Sequence, residues 1–115
     1  MVRLINDNLI ERLIIKTMLK DTQFIETVIT QFKPSFFDNE DLGIIYSKIK
    51  EHFNQYDKTI PVVTLENGVD ESKRQDMVEM IKEIKEIDYD ISENYEFLLN
   101  EVNLYMKEKA YKDAL

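Results

Sequence analysis

The stretch Phe32-Lys33-Pro34-Ser35-Phe36-Phe37 constrains this chain most, because two amphipathic runs meet there. Proline has no N–H and clashes with the preceding turn, so a helix cannot pass through Pro34. Its ring also pushes Lys33 out of the α region, while Phe32, Phe36 and Phe37 bring three aromatic rings into six residues. A buried corner is expected there, with the segments on both sides packed around it.

The apolar pattern on both sides has helical period. Asn8-Leu9-Ile10-Glu11 has capping-box spacing and predicts a helix start near Leu9. Ile10, Leu13, Ile14 and Met18, flanked by Leu9, Ile15 and Leu19, form an arc broad enough for a central helix. Asp21 is placed to cap a second helix with Phe24, Ile25, Val28, Ile29 and Phe32 on one side. After the corner, Asp38 or Asn39 caps a third, with Glu40 and Asp41 in its first turn and Leu42, Ile45, Tyr46, Ile49 and Phe53 along one face.

Residues 54–59 read as a loop, and residues 60–66 are ambiguous between a helical turn and an extended stretch. Ser72 to Gln75 repeats the capping-box spacing and opens a helix lined by Met77, Val78, Met80, Ile81 and Ile84. Ser92 is expected to cap the last helix, whose inner stripe is Tyr95, Leu98, Leu99, Val102, Tyr105 and Met106. Phe97, Leu104 and Tyr111 recur every seven residues on another side of it. They are either partly buried edge residues or a second apolar face for self-association or another partner. The pattern is still running at Leu115 without a C-cap, so the chain is expected to be part of a longer one.

These runs define an all-α fold, a small bundle of about five to six helices with a long C-terminal helix that begins a truncated hairpin. Residues 1–91 are read as the helical head and residues 92–115 as the start of the hairpin helix. The two glycines and two prolines leave few of the turns an all-β domain needs, and 115 residues suit one core that buries roughly two-thirds of the unfolded surface. Without cysteine there is no disulfide framework, zinc knuckle or thiol nucleophile, and the expected compartment is the cytoplasm. No run approaches the roughly 20 apolar residues of a membrane span.

The formal charge of −8 is uneven, with 8 basic and 9 acidic groups in residues 1–60 against 7 and 14 in residues 61–115. Strong autonomous nucleic-acid binding needs clustered Lys and Arg, so this balance argues against it and for protein partners. Catalytic signatures are missing too. Gly43 and Gly68 are solitary, which excludes a phosphate loop, and the one histidine, His52, has Ile49 three residues before it where a carboxylate-bridged metal pair would need Glu. Glu40 with Asp41, or Asp88 with Asp90, carry no specific acid–base or calcium pattern, and the lysines from Lys107 to Lys112 alternate with acids as on a solvated helix. Neither catalytic, cofactor nor metal residues are assigned.

Taken in order, the first helix, Asp21 before Phe24, the Phe32–Phe37 corner, Ile45, Ile49 and the Ile60-Pro61 step resemble the N-terminal domain of DnaB-type hexameric replicative helicases. That family has an L-K-P-x-x-F corner between its second and third helices; Phe32 stands where Leu is frequent. The run from Ile49 to Tyr56 followed by Ile60-Pro61, with residues 100–110 leading into a long helix, is most similar to the T-even-type bacteriophage branch of the family. Residues 62–68 are shorter than the family's fourth helix, and the motor domain with its phosphate loop is not in this sequence.

The resemblance implies a non-catalytic collar in DNA replication, which pairs with copies of itself within a hexamer and offers surfaces to primase and a helicase loader. ATP and magnesium would belong to the motor. Two alternatives share the architecture: the helicase-binding C-terminal domain of a primase, against which Met1 leading straight into the fold counts, and a stand-alone phage adaptor.

Overall fold

The computed structural model describes residues 3–115. These residues form six helices, α1 Asp7–Met18, α2 Thr22–Ile29, α3 Glu40–Tyr56, α4 Val62–Asn67, α5 Glu71–Glu86 and α6 Tyr95–Ala114, with a 3₁₀ turn at Pro34–Phe36 and no strand among them. The all-α bundle with a long last helix is the architecture that the apolar periodicity predicts.

Helix α1 lies at the centre, in contact with α2, α3, α5 and α6. Ile10, Leu13, Ile14, Ile15 and Met18 are fully buried on it. Its start lies earlier than expected. Asn6, not Asn8, is the N-cap, its side chain accepting from the Leu9 amide at 2.9 Å. The capping box does not form because Glu11 is recruited elsewhere: its carboxylate accepts from the amides of Asp38 and Asn39, where α3 begins.

Asp21 caps α2 as predicted, accepting from the amides of Gln23 and Phe24. Of the two candidates for α3, Asn39 caps, accepting from Asp41 and Leu42. The short segment after Pro61 resolves as helix α4, with Leu65 buried. Two later starts are corrected. Helix α5 begins at Glu71 after Asp70, so Ser72 lies inside it and caps nothing. Helix α6 begins at Tyr95 instead of following Ser92, because Asp90 organises the turn over residues 91–94: its carboxylate accepts from the Glu93 amide and its carbonyl from the Asn94 side chain.

The corner has the expected form. Lys33 is extended, with φ −103° and ψ 149°, and the chain then tightens into the 3₁₀ turn. Phe32, Phe36 and Phe37 are buried, whereas Pro34 is exposed and acts through backbone sterics alone. The Phe32 ring lies 4.9–6.0 Å from the rings of Phe36, Phe37, Tyr46 and Tyr105, and the Tyr46 hydroxyl donates to the Phe32 carbonyl at 2.7 Å. One apolar core spans all of this, from Ile5 through the corner to Met106 of α6.

Close approach explains Gly43. A Cβ there would sit 2.9 Å from the Pro34 carbonyl oxygen. Glycine in a helix interior ordinarily loses about 1 kcal/mol relative to alanine. Here the sign reverses: Gly43→Ala is expected to destabilise by about 1–3 kcal/mol through overpacking against the turn, measurable by urea denaturation.

Burial also pushes the hydroxyls of Tyr46 and Tyr105 well above the ordinary phenol range, with the Glu11 carboxylate adding to the effect at Tyr105. Both groups stay protonated in the folded chain at pH values where the unfolded chain loses those protons. Their contribution is fully present below about pH 10 and falls as pH rises above it, by up to about 1.4 kcal/mol per pH unit for each phenol. Chemical denaturation between pH 9 and 12 checks this, and the Tyr46→Phe/Tyr105→Phe variant is expected to lose the share of the slope these two supply, leaving that of Tyr89 and Tyr95, which burial also raises.

Candidate functional surface

The last helix presents two different sides. Leu98, Val102, Tyr105 and Met106 face the core and are buried, against α1 and the corner. Polar contacts fix this side. The buried Glu101 carboxylate accepts from the amides of Leu4 and Ile5 at 2.6 Å, holding the N-terminal segment on α6. Tyr105 donates its hydroxyl to the buried Glu11 carboxylate, which also holds the start of α3. One carboxylate therefore joins α1, α3 and α6.

A rim of charges continues the attachment towards the end of the helix. Arg3 pairs with Asp7 and Glu108, Lys109 with Asp38 at 2.6 Å, and Lys33 with Asp113 at 2.9 Å. Arg3 and Lys109 also lie over the Tyr105 ring, at 4.9 and 5.3 Å from its centroid. Each pair has an exposed carboxylate, which holds its contribution to about 1 kcal/mol, so the pairs orient the helix more than they stabilise it.

The expected second face divides. Phe97 is 41% exposed and Tyr111 68% exposed, while Leu104 between them is half-buried. At 1.5 Å per residue the two aromatic side chains stand about 21 Å apart along the helix. They share one side of it without touching each other.

Periodicity alone did not single out Glu11 and Glu101, although a signal was there. Glu11 stands in register with Ile15 and Met18, and Glu101 with Leu98 and Tyr105, so each carboxylate interrupts an apolar stripe. A charged residue in such a stripe is expected to be paired or bound by amides.

Among the described residues no group of three or more His, Cys, Asp or Glu is placed to hold a metal ion. His52 is half-buried, its ring centroid 4.8 Å from that of Tyr56. None of the described helices is long and apolar enough to cross a membrane.

In this small helical domain two buried carboxylates join separate segments, and the last helix keeps aromatic groups in solvent. A family model, the DnaB-like helicase N terminal domain, matches residues 4–103, and the chain belongs to that family. The domain of that family is non-catalytic. Neither a search of curated proteins nor one of solved structures returned a match.

Proposed function

We propose that this chain is the collar domain of a replicative DNA helicase, and that the side of α6 bearing Phe97, Leu104 and Tyr111 pairs with another copy during ring assembly. The observation that carries the pairing is the division of α6 into a buried inner stripe and an outer side where Phe97 and Tyr111 remain in solvent. Covering each large apolar side chain would recover about 1.5–3 kcal/mol. Primase and a helicase loader are the further partners in this reading. ATP and magnesium belong to a motor domain encoded elsewhere in the longer protein, and the setting is the cytoplasm, that of the host if the gene is a phage's. Kinship with the T-even-type phage branch rests on the run from Ile49 to Tyr56, the Ile60-Pro61 step and residues 100–110 leading into a long helix.

Sedimentation of two lengths tests the pairing. The 115-residue chain is expected to be a monomer or weak dimer, and a chain extended through the following helix to assemble strongly. Purely monomeric behaviour of both would count against the collar. A phosphate-loop motor sequence after Leu115 in the reading frame would separate the helicase from a stand-alone adaptor or a primase domain.

A further inference from the structure

The end of α1 carries Lys16 and Lys20, one turn apart, and they stand between two clefts. The larger, about 570 Å³, has Lys16, Lys20, Tyr89 and Tyr95 in its walls; the smaller, about 290 Å³, shares both lysines and adds Leu19, Val62 and Lys85. Lys16 is only 7% exposed, and its ammonium donates to the carbonyls of Lys85 and Ile87 at the end of α5. An ammonium has three N–H groups, so one is left over.

No carboxylate among the described residues lies within 4.0 Å of Lys16, Lys20 or Lys85, in a chain of net charge −8. Burial and the neighbouring Lys20 both disfavour the Lys16 charge, and Asp88 offsets them from farther away. Tyr89, on the wall of the larger cleft, has a buried hydroxyl without a hydrogen-bond partner. Lys16, Lys20 and Lys85 therefore bring positive charge to the smaller cleft with its apolar walls Leu19 and Val62, and the unused Tyr89 hydroxyl lies across Lys16 and Lys20 in the larger one.

We propose that this ridge binds a peptide segment of a partner protein bearing one carboxylate beside an aliphatic side chain, the carboxylate on Lys16 and Lys20 and the aliphatic group against Leu19 and Val62. Asp21 and Asp90 also line the larger cleft, so a dianionic phosphate or a nucleic-acid backbone would meet repulsion there that a single carboxylate tolerates. The volumes suit a short segment. None of these residues belongs to the outer side of α6, so the site stands or falls apart from the collar reading.

Titration of the 115-residue chain, followed by the amide NMR signals of residues 16–21 and 89–95, tests this with N-acetyl-Asp-Leu-amide, acetate and inorganic phosphate as probes. The peptide is expected to shift these signals saturably and to bind at least about tenfold more tightly than acetate. Lys20→Ala, a change at an exposed position, should weaken the peptide by about tenfold with the rest of the spectrum unchanged. Absence of saturable shifts, equal binding by Lys20→Ala, or phosphate binding as tightly as the peptide would overturn the site. Acetate matching the peptide would overturn the peptide as its occupant.

Discussion

Glu11→Ala is expected to lower the stability of the folded chain by about 3–5 kcal/mol, a large part of what a domain of this size has. The substitution leaves the amides of Asp38 and Asn39 and the hydroxyl of Tyr105 without their shared acceptor. A buried polar group so orphaned costs about 1–3 kcal/mol, the part-buried amides less than the buried Tyr105 hydroxyl, to which the Phe36 carbonyl at 3.4 Å offers a weak substitute. Glu11→Gln keeps an acceptor oxygen and is expected to cost less than half as much. Urea denaturation of both variants, with Tyr105→Phe to complete a double-mutant cycle, gives the coupling between α1 and α6; a coupling near zero would show that the two helices are held together by packing alone.

Phe32→Ala carries a cost of similar size, about 3–5 kcal/mol, for a different reason. The Phe32 ring is 2% exposed and meets four other aromatic rings from the corner, α3 and α6, so its removal leaves a cavity lined by groups that cannot all move inwards. Phe32→Leu fills most of that space and is expected to cost under about 1.5 kcal/mol. Pro34→Ala, at an exposed position, gives up only the ring's restriction of the unfolded chain and should cost about 0.4–1 kcal/mol. Thermal and urea unfolding of the three variants would establish the order, and equal losses at Phe32 and Pro34 would contradict a corner organised by its rings.

What could be read in the sequence follows from how local each cause is. Proline sterics and the period of the apolar stripes act within a few residues, so the corner, the central place of α1 and the buried stripe of α6 were legible. Cap choice between neighbouring Asn, Asp and Ser residues is not local. Asn8 lost to Asn6 because Glu11, its expected capping partner, is drawn to the start of α3 and to Tyr105. Ser92 yielded to Asp90 for the same kind of reason, since the turn before α6 is built on the aspartate.

At the candidate surface, seven-residue spacing located Phe97, Leu104 and Tyr111 on one side of the helix, but spacing cannot rank exposure. Leu104 is half-buried while Tyr111 is largely in solvent, a difference set by the surroundings of α6 in the folded chain. The ridge at Lys16 and Lys20 was not visible either. Its clefts depend on how the end of α1 meets Leu19, Val62, Lys85 and the segment before α6, residues far apart in the chain.

The proposed role of α6 in self-association is tested most directly by sedimentation equilibrium of the protein encoded by its full reading frame, with and without Phe97→Ser and Tyr111→Ser. Both substitutions lie at exposed positions and should leave the fold intact, as circular dichroism would check. The parent is expected to assemble and the double variant to sediment as a monomer across the same concentrations; assembly of equal strength in both would contradict the pairing.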